Sequence, residues 1–154
     1  FMRYFLTVKT GTLPNVGEVY DTFKQHARSP NVAQADVESL VADLRNYARY
    51  FCAMTLGAEP DPDLKTAFQD LRELKVDVAY PFLLELYQDY DSQLLSKADF
   101  LTVIRLVESY LFRRAVCAIP TNSMNKTFAT FTKALKKEDY DEEQNFDFTI
   151  STQF

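Results

Sequence analysis

The apolar residues Val37, Leu40, Val41, Leu44, Tyr47, Ala48, Phe51 and Cys52 follow one another at intervals of three and four. That spacing keeps them on one face of a helix and scatters them across both faces of a strand. The same period returns along most of the chain, and nowhere does alternation of period two last long enough to build a sheet. Only 3 glycines and 6 prolines interrupt 154 residues. With so few obligatory turns, the chain reads as all-α, an irregular bundle of about seven helices joined by short loops.

The helix ends can be placed from capping chemistry. Gly11 suits the left-handed position that closes a first helix over about residues 1–9. Asn15 is a candidate cap for a helix from Val16 to about Ala27, with Val16, Val19, Tyr20 and Phe23 as its apolar stripe. The long helix around residues 36–56 ends at Gly57. Asp61 followed by Pro62 and Asp63 starts another, because proline fits the first turn and a carboxylate favours the positive end of the helix dipole. Leu64, Ala67, Phe68 and Leu71 form its inward side. Pro81 marks the next start, capped near residues 77–80, with Phe82, Leu83, Leu86, Tyr87 and Tyr90 inward. Ser96 and Asp99 resemble a capping box for a helix to about Cys117, whose inward residues are Phe100, Ile104, Val107 and Leu111. Pro120 forces a turn, and Thr121, Asn122 or Ser123 can cap a last helix to about Leu135. Residues 1–137 thus form one helical domain. Residues 138–154 form an acidic tail without sustained period, partly disordered or the start of a further segment.

No window approaches the roughly 18 apolar residues of a membrane span, and nothing resembles a secretion signal. The expected setting is the cytoplasm, without a membrane partner. Cys52 and Cys117, each among apolar neighbours, read as buried free thiols of a reducing compartment. The opening Phe1–Met2, starting within a helix and lacking a cap, reads as the edge of a piece cut from a longer polypeptide.

Charge is unevenly spread. Residues 1–96 carry 9 basic and 14 acidic side chains, residues 97–137 carry 8 and 2, and the last 17 residues carry none and 6. A basic block inside an acidic chain is either a footprint for nucleic acid or a solvated pair of helices beside an acidic tail.

Chemistry-bearing patterns are scarce. The one histidine, His26, lies at a polar helix end where it favours the dipole. Two separated cysteines and one histidine hardly supply a zinc site, and no Glu-x-x-His pair exists for a di-iron bundle. Phosphate-binding and nucleophile-elbow motifs are missing. The acidic pairs Asp61/Asp63 and Asp89/Asp91 and the run Asp141–Glu143 are explained by a cap, a helix end and a solvated tail. This reading expects neither catalysis nor a cofactor or metal within the fragment.

One polar corner stands out. Arg105, Ser109 and Arg113 share a stripe, Glu108 can pair with Arg105, and Arg114 lies on the apolar side beside Tyr110 and Leu111. Just beyond the turn come Asn122, Asn125 and Lys126. Antiparallel packing would gather Arg113, Arg114, Asn122, Asn125 and Lys126 as donors for nucleic-acid or interdomain contact. The plainer alternative is that they cap helix ends and pair with carboxylates.

The strings "YFLTVKTGTLPNVGEVYDTFK", "LKVDVAYPFLLELYQDY" and above all "LVESYLFRRAVCAIPTNSMNKTFATF" resemble the middle helical region of GmrSD-type restriction endonucleases, over roughly residues 1–136. In that family a ParB-like, nucleotide-hydrolysing domain precedes the helical region and an HNH nuclease domain follows. The family's catalytic motifs, an acidic-glutamine-arginine signature and a histidine-rich HNH motif, have no counterpart in these 154 residues. The resemblance implies a non-catalytic segment of a modification-dependent, phage-restricting endonuclease. Its partners would be the flanking catalytic domains of the same chain, with DNA as a further candidate. Two alternatives belong to other classes: a protein-interaction scaffold with no nucleic-acid role, exposing an apolar patch on helix 1, and a stand-alone enzyme working through acidic residues.

Overall fold

The computed structural model describes residues 1–33, 36–75 and 77–120, together with Met124, Thr127, Phe128 and Phe131. Helices account for the regular structure among them, and no strand occurs among the described residues. In chain order they are α1 (Met2–Thr10), a 3-10 turn (Val16–Glu18), α2 (Val19–Ala27), α3 (Pro30–Ala33), α4 (Val37–Leu56), α5 (Pro62–Glu73), α6 (Tyr80–Asp91) and α7 (Lys97–Val116). The architecture is the all-α irregular bundle that the apolar period implies.

The boundaries follow the capping chemistry. Gly11 sits at φ 70° and returns its N–H to the Thr7 carbonyl, and Gly57, at φ 71°, does so to Cys52. The Asp36 carboxylate accepts from the Ser39 N–H at 2.7 Å, and Asp61 accepts from the N–H groups of Asp63 and Leu64. Ser96 accepts from the Asp99 N–H at 3.2 Å and opens α7. Two starts differ from expectation. Asn15 spends its side-chain amide on the Glu18 carboxylate instead of a cap, and the chain enters α2 through a 3-10 turn. Ahead of α6 no side chain caps the helix, because the Asp77 carboxylate is taken by the Tyr4 hydroxyl.

α6 is the centre of the fold, packing against α1, α4 and α7, while α5 lies against α4 and α7. The core runs from Phe5 and Leu6 on α1 through Tyr50 on α4, Phe68 on α5 and Leu83, Leu84 and Leu86 on α6 to Phe100 and Ile104 on α7. Met124 and Phe128 are buried in the same core, and the Phe128 ring meets those of Phe82, Tyr110 and Phe131. Aromatic rings fill the space between helices. Tyr87 stacks on Tyr50 with centroids 4.6 Å apart and meets Phe100 edge-on at 5.5 Å.

Some expectations need correction. In the stripe of the second helix, Val19 and Phe23 pack on the core, but Val16 and Tyr20 are exposed. In the longest helix Val37 and Val41 are likewise exposed, and the buried face turns toward Tyr47, Tyr50, Ala53 and Met54. In the same turns Leu44 packs against the core, so the start of α4 is covered on one side only. Cys52 is half-buried and Cys117 exposed, so the second thiol is not in the core; both are free. The apolar patch expected on helix 1 is not found there: Phe5, Leu6, Thr7 and Val8 are buried. The remainder of the last expected helix and the acidic segment 138–154 lie outside the described residues. Among the described residues, no helix is long and apolar enough to cross a membrane.

Candidate functional site

Two kinds of surface meet along α7. At its start, Lys97 bridges Asp61 at 2.6 Å and Asp63 at 2.7 Å, tying the first turn of α7 to the cap of α5. Hydrogen bonding to Asp61 and then Asp63 raises the Lys97 pKa, and the same contact with Lys97 holds Asp61 below the usual carboxylate range. Two turns on, Arg105 pairs with Asp70 at 2.6 Å and with Glu108 at 2.7 Å. The Arg105–Glu108 pair is the one the i, i+3 spacing indicates. These two cations of the basic block are therefore neutralised within the bundle, each by two carboxylates.

The end of α7 is different. Arg113 is exposed, and its Nε–H reaches only back to the Ser109 carbonyl at 3.2 Å. Among the described residues it pairs with no carboxylate. Arg114 turns the other way. One guanidinium nitrogen donates to the Tyr110 hydroxyl at 3.2 Å, the second to the Pro120 carbonyl at 2.7 Å, and its carbon lies 5.5 Å from the Tyr110 ring centre. The stem thus runs along apolar surface while the head clips down the chain after the helix. The helix closes with two return bonds, Ala118 N–H to the Ala115 carbonyl and Ile119 N–H to the Arg114 carbonyl, which is the Schellman pattern. Ala118 takes the left-handed position at φ 52°.

Of the five residues expected to form one polar corner, the structure describes Arg113 and Arg114 and shows them splayed apart. Asn122, Asn125 and Lys126 lie outside the described residues. Arg113 is surrounded by apolar surface that its place among adjacent charges does not indicate. Phe112, Val116 and Ile119 are exposed large apolar residues, with 56%, 69% and 45% of their surfaces open. Phe112 and Val116 stand at i and i+4, and Ile119 is folded back beside the last turn. The available signal was the row itself: two apolar residues at helical spacing on the side of α7 opposite Val107 and Leu111.

The other candidates resolve into structure. His26 ends α2 with its ring edge-on to Phe5 at 6.0 Å. Asp61 and Asp63 are held by Lys97, and Asp91 takes Arg49 at 2.6 Å and the Tyr50 hydroxyl at 2.8 Å. Among the described residues no three His, Cys, Asp or Glu side chains converge as a metal site would need. An open groove of about 600 Å³ between α5 and α7 is lined by Asp63, Thr66, Leu101, Thr102, Arg105 and Leu106, with its cation already paired. A buried carboxylate that the sequence did not single out is Glu59, which accepts from Tyr87 and from the Asp61 N–H.

Comparison of the chain with protein-family models, with curated proteins and with solved structures finds no match.

Proposed function

We propose that this chain is a non-catalytic helical interaction domain of a larger enzyme, of the GmrSD restriction type that its sequence resembles, where it would connect the ParB-like and HNH domains. The observation that carries the interaction role is the end of α7. There Phe112, Val116 and Ile119 are exposed around a cation that no described carboxylate neutralises, while the cations nearer the start of α7 are paired internally. Exposed aromatic and aliphatic side chains beside an arginine are the composition of a protein-docking surface. The pairing of Lys97 and Arg105 argues for a protein partner ahead of a broad DNA-binding face.

The reading frame on either side of residues 1–154 tests the enzyme class. An upstream acidic-glutamine-arginine signature together with a downstream HNH motif is the expected result, and finding neither overturns the assignment. Docking is tested separately in the longer chain. Cross-links from α7 to a neighbouring domain should disappear on Phe112→Ser/Val116→Ser, and unchanged cross-linking would reject this surface.

Exposed Arg113 keeps DNA as a second reading. It predicts weak binding of duplex DNA that falls steeply with added salt and drops on Arg113→Ala. Absence of binding at low salt removes it.

A further inference from the structure

α4 buries Tyr47, Tyr50, Ala53 and Met54 on one face and carries a second apolar row that the described residues cover only in part. Val37, Val41, Leu44, Ala48, Phe51 and Thr55 form that row, turned roughly a third of a turn from the buried face. Val37 and Val41 are exposed, and the other four are half-buried. Phe51 is held in place by the rings of Phe1, Tyr4 and Tyr80. The Thr55 hydroxyl donates to the Phe51 carbonyl at 2.6 Å, so its polar atom is already satisfied.

The spacing identifies the kind of partner. Intervals along the row are four, three, four, three and four, the 3.5-residue repeat with which two helices pack lengthwise at a shallow angle. A partner that uses the whole row is therefore a helix of similar length. α4 of a second copy meets that description, and side-chain size selects its direction. In heptad terms Val41, Ala48 and Thr55 are a positions, and Val37, Leu44 and Phe51 are d positions. Antiparallel pairing sets a against d: Val41 meets Phe51, Ala48 meets Leu44, and Thr55 meets Val37 of the second copy. The inner layers then match a larger side chain with a smaller one. Parallel pairing would set Phe51 on Phe51 and Ala48 on Ala48, crowding one layer and hollowing another.

We infer that the chain forms an antiparallel, two-fold symmetric dimer along this row of α4. Two helices of 20 residues share about 30 Å of axis. Such a contact stays under about 1,200 Å² in total, so the dimer is of the weak, transient kind. Exposed Arg45 beside the row approaches its own counterpart near the symmetry axis, and salt should therefore strengthen the pairing. This surface is separate from the α7 edge, and the inference does not rest on the role proposed above.

Sedimentation velocity of the full chain is the test. The mean mass should rise from one chain at about 10 µM toward two at about 1 mM, and rise further with added salt. Val41→Arg, at an exposed position, should keep the chain single throughout with its helix content unchanged. Arg45→Ala should tighten the dimer several-fold, a gain that misfolding could not produce. Disulfide trapping reads the direction in a Cys52→Ala/Cys117→Ala background. There Val37→Cys/Thr55→Cys should cross-link on mild oxidation and Val37→Cys alone should not. The two positions lie roughly 27 Å apart along one helix, so the bond can form only between chains. A chain that stays single at the highest concentration overturns the inference. So does a dimer that survives Val41→Arg, or one lost instead on Phe112→Ser/Val116→Ser. No gain in Arg45→Ala, or cross-linking by Val37→Cys alone, overturns the antiparallel pairing.

Discussion

Tyr87 on α6 donates its hydroxyl proton to Glu59, a carboxylate in the α4–α5 connection with only 4% of its surface exposed. The second Glu59 oxygen accepts from the Asp61 N–H at 3.0 Å, and Asp61 in turn caps α5. One buried side chain therefore fixes the loop, the helix start and the central helix together. A buried acceptor left short of donors costs about 1–3 kcal/mol. Tyr87→Phe should lose stability in that range by urea denaturation. Glu59→Gln combined with Tyr87→Phe should lose less than the two single changes added together, since both remove one shared contact. Strict additivity would show that the pair is not coupled.

Tyrosines govern the alkaline limit of the fold. Burial, followed by hydrogen bonding to a carboxylate, raises the pKa of Tyr4, Tyr50 and Tyr87, and takes Tyr50 up to about 12. Burial first, and then the charge of a nearby carboxylate, raises Tyr47 and Tyr80. The unfolded chain ionises these groups near pH 10. Their contribution is therefore complete below about pH 10 and is lost as pH rises toward the folded values. At the acid end the sign reverses. Hydrogen bonds with Ser39 lower Asp36, and those with Lys97 and then the Leu64 N–H lower Asp61. Their contribution is present above about pH 4 and lost on acidification. The urea midpoint should form a plateau that falls at both ends, and absorbance at 295 nm should rise in step with the alkaline loss of helix. Ionisation of these tyrosines with the helix signal intact would contradict the buried network.

Backbone conformation offers a gain in stability. Gln93 and Ala118 follow α6 and α7 in left-handed geometry, at φ 62° and 52°. Side chains there carry a steric penalty that glycine avoids. Ala118→Gly and Gln93→Gly should each stabilise by about 0.5–1 kcal/mol. A loss on Ala118→Gly would mean that its methyl group packs more favourably than its backbone is strained.

Capping chemistry is local, so helix existence, Gly11, Gly57, Asp61 and Ser96 were all legible in the sequence. The Arg105–Glu108 pair was legible for the same reason. Facing is a tertiary property and was only partly legible. Periodicity says that Val37, Val41 and Tyr47 share a stripe, but how the neighbouring helices pack decides which of them is covered. The α7 corner divides in the same way. Its arginines stand out as adjacent charges, yet whether they converge depends on packing, and the structure sends Arg113 outward and Arg114 onto Pro120. Glu59 escaped notice because a carboxylate in a loop is ordinarily solvated, and only the position of Tyr87 makes it a buried acceptor.

Leu84 and Val41 put that distinction to a direct test. Leu84 falls outside the single stripe that the α6 sequence indicates, yet it is fully buried, because α6 packs against three helices, α1, α4 and α7. Val41 falls within the α4 stripe and is 56% exposed. Truncating a buried leucine removes its transfer energy and leaves a cavity, so Leu84→Ala should destabilise by about 2–5 kcal/mol. Val41→Ser changes a surface position and should stay within about 0.5 kcal/mol. Urea midpoints at unchanged m-value measure both. If Val41→Ser proves as damaging as Leu84→Ala, another element covers the start of α4, and the central place of α6 would have to be shared with it.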